Sequence, residues 1–204
     1  MPNAPEWVSI ACKGGSKASK KVQMSISAKM QEWVASEIEE RLESYNLDLE
    51  VEPKEKRYAG AWRSIPVDVH VSTPRLGLVL AIDPKHLQSS GSIGRNWKNM
   101  LNDIIAFGGN LHGRFPMCVV GAVVGFNAEE IDEDTLADMY SIIGKVAVRE
   151  SPSEQSALLE GLAIIAYECE PPRISPTIPP PQSPFRYSAT FDKMAKLIVQ
   201  RFVG

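Results

Sequence analysis

The sequence predicts an α/β fold, a mixed sheet with helices on both of its faces. One helical pattern of apolar residues covers about residues 27–45, and a second covers residues 95–111. Three strand-like stretches lie between them, at residues 47–52, 67–72 and 78–82. The nearly continuous apolar run at residues 115–126 follows the second helix, and a strand, a helical crossover and a strand imply a parallel pair. The predicted order is therefore helix, three strands, helix, strand.

The first predicted helix has a buried face that repeats every four residues. This face consists of Met30, Val34, Ile38 and Leu42, and Ser27 is the predicted N-cap. Because the pattern is regular over several turns, this helix is expected to pack along the sheet.

The central strands are predicted to form a hairpin that carries three charged residues. Residues 67–72 alternate between apolar and polar, residues 72–75 supply a turn, and residues 78–82 are continuously apolar. With a turn centred near Pro74 or Arg75, positions that sum to about 150 lie opposite each other, which sets Asp68 beside Ile82 or Asp83.

Asp83 and Lys85 are two residues apart and are therefore predicted to share a face of their strand. Together with Asp68 they would bring two carboxylates and an ammonium group to one point. Hard divalent cations such as Mg²⁺ bind to oxygen ligands, often one or two carboxylates with waters. A lysine beside such a site can lose its proton more easily or can stabilise developing negative charge.

This arrangement resembles the motif of the PD-(D/E)xK nuclease superfamily. Pro66-Val67-Asp68 is followed after fourteen residues by Asp83-Pro84-Lys85, and the chain departs from the nominal motif only where Val67 separates the proline from the aspartate. A second acid-x-Lys triplet, Glu52-Pro53-Lys54, has no acid on a partner strand before it. The resemblance implies a restriction-endonuclease-like αβββαβ core with C-terminal accessory elements. It also implies hydrolysis of phosphodiester bonds with Mg²⁺, for which Mn²⁺ can substitute.

The resemblance also implies roles for individual residues. Asp68 and Asp83 would hold the metal, and Lys85 would orient or deprotonate a water or neutralise charge on the phosphate. The first helix of the family often lends an acid to the metal, so Glu37 is a further candidate ligand. The alternative is that Glu37 forms an ion pair with Arg41, four residues later.

Several basic and polar residues are candidates for DNA contacts. Residues 54–63 are predicted to be a basic loop with Tyr58 and Trp62 interleaved, although an ordinary exposed hairpin loop has a similar composition. The candidates for contacts with DNA are Lys54, Lys56, Arg57, Arg63, His86, Arg95 and Asn99. His86 could instead be an ordinary surface residue, and the asparagine-rich side of the second helix, including Asn110, could form a dimer seam.

The chain is predicted to fold as one domain with two appended segments. Residues 1–24 are predicted to be a flexible basic arm, and residues 25–170 the nuclease core. Residues 171–188 form a proline-rich extended segment, and residues 189–204 a C-terminal helix that docks on the same domain or on a second subunit. Within the core, further helices are predicted at residues 132–146 and 153–159 and a further strand at residues 162–167.

Composition excludes some classes of protein. No apolar run approaches the length of a membrane span, and we expect no signal peptide. The three cysteines have no metal-type spacing, which suits a reducing cytoplasm. The glycine-rich stretch at residues 13–17 lacks Walker spacing, so no nucleotide cofactor is expected, and no serine-hydrolase or zinc-protease motif is present.

The predicted function is that of a Mg²⁺-dependent DNA endonuclease, most similar to a type II restriction enzyme or a related bacterial defence nuclease. The expected partners are double-stranded DNA and a second copy of the chain. A Holliday-junction resolvase or a repair nuclease of the same fold is the near alternative. A non-catalytic binding or scaffold protein is the alternative from a different class.

Overall fold

The computed structural model contains a five-stranded mixed sheet with helices on both of its faces. It describes residues 4–15, 18–87 and 93–203, apart from the side chain of Arg95. The described helices are α1 (Glu6–Gly14), α2 (Lys20–Ser44), α3 (Ile93–His112), α4 (Glu133–Val146) and α5 (Tyr187–Phe202). The strands are β1 (Lys56–Ala59), β2 (Ser64–Val67), β3 (Val69–Thr73), β4 (Gly77–His86), β5 (Val119–Asn127), β6 (Gly161–Cys169) and β7 (Pro172–Ile174).

The sheet has the strand order β3-β4-β5-β6-β7, and β1 and β2 form a separate antiparallel ribbon. The strands β4, β5 and β6 are parallel, whereas β3 and β7 are antiparallel to their neighbours. The predicted mixed sheet is confirmed, and so is the parallel connection through α3. Because β4, β5 and β6 are buried on both faces, their sequences are almost continuously apolar.

Alternate residues of the parallel strands face two different hydrophobic clusters. On β5, Val119 and Val123 belong to the cluster that α1, α2 and α5 cover, whereas Val120 and Val124 belong to the cluster that α3 and α4 cover. Gly121 lies against α5, where a Cβ atom would be only 2.6 Å from the Met194 Cε atom. A residue without a side chain is therefore needed there for the close approach of the helix.

The prediction of a flexible arm over residues 1–24 is wrong for its described residues from Glu6 onward. α1 buries Trp7, Val8 and Ala11 against the sheet, and α2 begins at Lys20. The N-cap of α2 is Ser19, whose hydroxyl accepts from the Val22 N–H at 3.4 Å, and not Ser27. Residues 1–3, 16 and 17 lie outside the described part of the chain. The polar composition concealed a nine-residue helix that depends on tertiary burial of its tryptophan.

A disulfide bond joins Cys12 on α1 to Cys169 at the end of β6, with Cα atoms 5.3 Å apart. The bond fastens α1 to the sheet across 157 residues of sequence. Structural disulfides are rare in reducing compartments, so the cysteines no longer support the expectation of a reducing cytoplasm. No helix among the described residues is long and apolar enough to cross a membrane.

The prediction that residues 47–52 form a strand paired with a neighbouring strand is wrong. Its apolar side chains Leu47, Leu49 and Val51 pack against the α2 side of the core, but only Glu52 bridges to His70. The predicted basic loop at residues 54–63 instead contains β1 and the turn into β2. Alternation therefore indicated the buried side of the segment correctly but not its pairing partner.

The C-terminal half follows the predictions with one exception. α4 forms with Asp132 as its N-cap, β6 covers the predicted strand, and α5 docks on the sheet through Phe191 and Met194. The short strand β7 lies inside the otherwise extended proline-rich segment. Residues 153–159 form turns and not the predicted helix, and the carbonyl of Ser156 there accepts from His112 at 2.9 Å.

Candidate functional site

The hairpin register brings the two aspartates level with each other. β3 pairs with β4 through Val69 opposite Ile82, and Asp68 is the single residue that separates β2 from β3. Asp68 itself is in a bend, and continuing the register by one residue would set it beside Asp83. The predicted antiparallel pairing and its approximate register are therefore confirmed.

Asp83 and Lys85 share one face of β4. Their parallel partners Ala122 and Val124 belong to the cluster covered by α3, whereas Ile82 points into the cluster on the opposite face. The Lys85 Nζ atom lies 2.8 Å from the Asp83 Oδ1 atom. Asp83 is 7% exposed, and the Lys85 side chain is 41% exposed. The buried carboxylate is therefore paired with an ammonium group that also contacts solvent.

Burial dominates the electrostatics of Asp83. It raises the pKa of the carboxyl to about 6, although the neighbouring Lys85 ammonium opposes the shift through both charge and hydrogen bonding. The charges of Asp68 and Asp103 raise this pKa further. Near neutral pH, Asp83 is therefore an ionised carboxylate in surroundings that disfavour its charge.

Asp68 is also shifted toward the protonated form. Burial raises its pKa, the Lys85 charge lowers it, and the Glu55 charge raises it again. The nearby amide side chain of Gln31 on α2 favours the ionised form and lowers the pKa of Asp68. Two adjacent carboxylates with raised pKa values form a concentration of negative charge that Lys85 offsets only in part.

Lys85 is held in its charged form. Burial by itself lowers the pKa of the ammonium group, but the charges of Asp83, Asp68 and Asp103 outweigh burial, and the pKa is raised overall. A lysine with a raised pKa is a cation and a hydrogen-bond donor near neutral pH. It is not prepared to act as a base.

Asp103 was not predicted as a site residue. It lies on the exposed side of α3, and its charge acts on both Asp83 and Lys85. The sequence signal was present, since Asp103 belongs to the polar side of the predicted second helix. Its proximity to β4 depends on how α3 crosses the sheet, which spacing alone does not reveal.

Two carboxylates form the acidic part of the site. Within residues 4–15, 18–87 and 93–203, no group of three histidine, cysteine or acidic side chains is placed to hold a metal ion. Mg²⁺ commonly uses only one or two carboxylates and keeps several waters, so Asp68 and Asp83 fit its donor preference. Their raised pKa values fit as well, because a divalent cation would relieve the repulsion between them.

Glu37 is not brought to this pair. Its carboxylate lies 3.0 Å from the Arg41 guanidinium, which also bonds to Asp192 at 2.7 Å. Glu37 lies beside Trp33 and Tyr187, and Gln31 is the α2 residue that reaches Asp68. The alternative interpretation of Glu37, an ion pair with the residue four positions later, is the one that the structure supports.

Six of the seven predicted DNA-contacting residues lie in two regions, the β1–β2 ribbon and α3. Lys54, Lys56, Arg57 and Arg63 are exposed on the β1–β2 ribbon and its ends, and in the described chain none of them pairs with a carboxylate. Asn99 is exposed on α3, while the side chain of Arg95 lies outside the described part.

The structure places His86, a predicted DNA contact, partly buried against Tyr167, which does not support a phosphate contact. Its ring stacks on Tyr167 with centroids 5.7 Å apart, and its Nε2 atom lies 3.0 Å from the Tyr167 hydroxyl. Trp7 of α1 covers it edge-on, and burial lowers its pKa to about 4. His86 is therefore neutral near pH 7 and faces away from Asp83 because successive strand residues point to opposite faces.

The structure thus brings together Asp68, Asp83 and Lys85, adds Gln31 and Asp103 to their surroundings, and separates Glu37 and His86 from them. Comparisons of this chain with protein-family models, with curated proteins and with solved structures found no match.

Proposed function

We propose that this protein is a metal-dependent endonuclease that hydrolyses phosphodiester bonds in DNA. One observation carries the proposal: the buried carboxylate of Asp83, with a pKa raised to about 6, lies 2.8 Å from the Lys85 ammonium and close enough to Asp68 for the Asp68 charge to raise that pKa. A pair of destabilised carboxylates next to a fixed cation is an arrangement typical of functional sites.

Asp68 and Asp83 are the residues that would hold Mg²⁺. When bound, the ion would polarise the scissile phosphate and lower the pKa of a bound water. Asp83 must be ionised to serve as a ligand, so its raised pKa makes the site sensitive to pH. The nearby Gln31 amide favours the ionised form of Asp68.

Lys85 acts as the cationic component. Three roles were open from the sequence: orienting water, deprotonating water and neutralising phosphate charge. The raised pKa of Lys85 supports the roles that need a protonated ammonium group. In the proposed reaction the oxygen of a water bonds to phosphorus as the P–O ester bond breaks, the water loses a proton to solvent and the departing oxygen gains one from solvent. Lys85 donates a hydrogen bond to a phosphate oxygen that gains negative charge.

The arrangement of elements supports a restriction-endonuclease-like core. The α2–β3–β4–α3–β5 sequence contains an antiparallel pair followed by a parallel crossover, with Asp83 on β4 and Asp68 immediately before β3. In this proposal β6 and β7 extend the core, and the β1–β2 ribbon replaces the first strand of the expected order. A second copy of the chain would supply the second site needed to cut both strands.

The β1–β2 ribbon supports DNA as the substrate. Lys56 of β1 pairs with Val67, the residue before Asp68, and Arg57 pairs with Pro66. The exposed cations therefore begin next to the acidic site and continue away from it. Phosphate groups bound along such a row would be positioned without sequence readout.

The proposal is tested by incubating supercoiled plasmid with the protein and Mg²⁺. We expect nicked or linear products from the native protein, and a loss of about 10²- to 10³-fold in rate for both Asp83→Asn and Lys85→Ala. Glu37→Gln is the matched control, since it removes an acid of α2 that pairs with Arg41, and its rate should equal that of the native protein. Absence of cleavage by the native protein, or cleavage that Asp83→Asn leaves intact, would overturn the proposal.

A further inference from the structure

One tryptophan is presented to solvent on the β1–β2 ribbon. Trp62 is 65% exposed, whereas Trp7 and Trp97 are buried and Trp33 packs against Tyr187 and Phe191. It occupies the turn between the two strands of the ribbon. Single exposed apolar residues are common on protein surfaces, so the surroundings of Trp62 decide whether its exposure indicates a function.

The turn that carries Trp62 is fixed by a buried asparagine of α3. The Asn110 side chain accepts from the Trp62 N–H at 3.1 Å and donates to the Arg63 carbonyl at 3.0 Å. The Asn110 carbonyl accepts from the Ala61 N–H at 2.9 Å, and Gly60 donates to the Arg63 carbonyl at 3.0 Å. Asn110 is 0% exposed, so the prediction that it lies on a polar outer side of the helix is wrong.

Three glycines make room for this turn against α3. A Cβ atom at Gly60 would lie 2.4 Å from the Asn110 Oδ1 atom, and one at Gly113 would lie 2.7 Å from the Ala61 Cβ atom. At Gly109 the indole of Trp62 already approaches to 3.4 Å of where a Cβ atom would stand. The turn is therefore fixed against α3, and the indole lies near Gly109 while most of its surface stays in solvent.

An exposed aromatic side chain on a fixed turn is typical of a binding surface, because the backbone loses little conformational entropy when a partner covers the ring. The charges beside Trp62 indicate the kind of partner. Residues 54–63 contain Lys54, Lys56, Arg57 and Arg63 against the single acid Glu55, on a chain whose net charge is −3. A positive strip with an aromatic platform is complementary to a polyanion that also presents flat apolar rings, which is a description of single-stranded nucleic acid.

The strip is connected to the acidic site by one strand. Trp62 precedes Asp68 by six residues, and β2 spans most of that distance, so the two lie at most about 20 Å apart. A nucleic-acid strand that follows the ribbon could therefore reach both.

We propose that Trp62 stacks on an unpaired nucleobase of the substrate, and that the substrate is DNA with unpaired bases near the cleaved bond. The inference rests on the proposed function and narrows its substrate class. Stacking makes no use of base identity, because every base has an aromatic face. An uninterrupted duplex offers no free face to Trp62, so it would bind through the basic side chains alone.

The test measures binding of a fluorescent 20-nucleotide oligothymidylate and of a blunt duplex of equal length. Both are titrated with protein that carries Asp83→Asn, with EDTA present to prevent cleavage. Adding Trp62→Ala should weaken binding of the single strand by about ten- to a hundredfold and leave binding of the duplex nearly unchanged. Trp62→Phe should retain most of the affinity, since it preserves an aromatic face.

Tyr45→Ala is the matched control, because Tyr45 is an exposed aromatic residue at the end of α2, outside the basic strip. Its affinity for the single strand should equal that of the parent. Circular dichroism spectra and urea midpoints of all variants show whether folding is preserved. If Trp62→Ala does not fold, Trp62→Phe and Trp62→Leu form the decisive pair, with binding retained in the first and lost in the second.

Equal single-strand affinity for Trp62→Ala or Trp62→Leu and the parent would overturn the inference. So would a change from dimer to monomer on the same substitution, because Trp62 would then contact a second copy of the chain. If Mg²⁺-dependent cleavage is present but Trp62 has no effect on binding, the inference fails while the proposed function stands. If Trp62-dependent binding is present in a native protein that cleaves nothing, the proposed nuclease fails and the stacking surface remains.

Discussion

Asp83 and Glu160 are both buried carboxylates, yet their surroundings differ in kind. Asp83 has one close partner, the half-exposed Lys85, and its pKa is raised to about 6. Glu160 is 0% exposed and is surrounded by donors. These donors are the His112 Nε2 atom at 3.0 Å, the Val120 N–H at 2.9 Å, Arg201 at 2.8 Å and Arg149.

The pKa values of the two groups shift in opposite directions for this reason. Burial alone would raise the pKa of Glu160, but hydrogen bonds and charges from His112, Val120 and Arg201 outweigh it, and the pKa is lowered. At Asp83 the single ammonium group of Lys85 does not outweigh burial. The difference teaches that a buried carboxylate marks a candidate functional site when its charge is left incompletely compensated.

The Glu160 cluster is structural. Arg149 also donates to the carbonyls of Pro116 and Pro152, and Arg201 donates to those of Cys118 and Glu150. One carboxylate therefore joins α3, the turns around residue 150, the start of β5 and the end of α5. We infer that this cluster holds the elements around the sheet, while the Asp83 site is maintained at the expense of stability.

The largest expected effect comes from breaking the compensated cluster. Glu160→Gln leaves two buried guanidinium groups without their carboxylate and should lower the free energy of unfolding by about 3–5 kcal/mol. Urea denaturation at pH 7 measures the loss. Glu32→Gln, which removes an exposed partner of Lys29, is the control and should lose far less stability, because water and salt screen an exposed ion pair. Equal losses for the two variants would contradict a structural role for the Glu160 cluster.

Glu160 also predicts how stability responds to acid. Because its folded-state pKa is depressed, its contribution is present above the unfolded-state value of about 4.5 and is lost as the pH falls through the folded-state pKa. The difference in the free energy of unfolding between Glu160→Gln and the native protein should consequently shrink at the acidic end of the titration.

A smaller effect of opposite sign is expected at Asp83. Its raised pKa means that stability falls as pH rises from about 4 to about 6, since the folded state must give up a proton that it holds more tightly than the unfolded state. Asp83→Asn removes this penalty and should stabilise the protein at pH 7 by roughly 2–3 kcal/mol, with no gain below pH 4. Urea midpoints measured across pH 4–8 test this, and a destabilised variant at pH 7 would contradict it.

The smallest expected effect belongs to Asp103. Its charge raises the pKa of Asp83 from the exposed side of α3, so Asp103→Asn should move that pKa slightly downward. The change should shift the acidic limb of the cleavage profile to lower pH by less than about one unit. High salt should reduce the difference between variant and native protein. Asn102→Asp adds a negative charge on the same exposed side of α3, so it should shift the acidic limb in the opposite direction.

The parts of the site that follow from local spacing were predictable from the sequence. Asp83 and Lys85 share a face because strand residues alternate, and Asp68 lies beside them because the turn at residues 74–76 sets the register. The same reasoning failed for Glu37, because helix spacing does not reveal which side of α2 meets the hairpin. Gln31 occupies that place instead.

Features that depend on tertiary contacts were not predictable. The helix α1 is stabilised by burial of Trp7 and by the Cys12–Cys169 disulfide, whose members are too far apart in sequence for spacing to pair them. Asn110 likewise bonds to the turn at residues 60–63, whose sequence is typical of an exposed loop that does not contact a helix. Polar residues at such positions resemble surface residues until their partners are known.

The most direct test of the central claim, that Asp68 and Asp83 together hold a divalent cation, is a calorimetric titration with Mn²⁺. We expect saturable binding by the native protein at pH 7.5, weaker binding as the pH falls below about 6, and none in Asp68→Asn or Asp83→Asn. Glu37→Gln should bind as the native protein does. Absence of binding by the native protein, or equal binding by all four proteins, would contradict the claim.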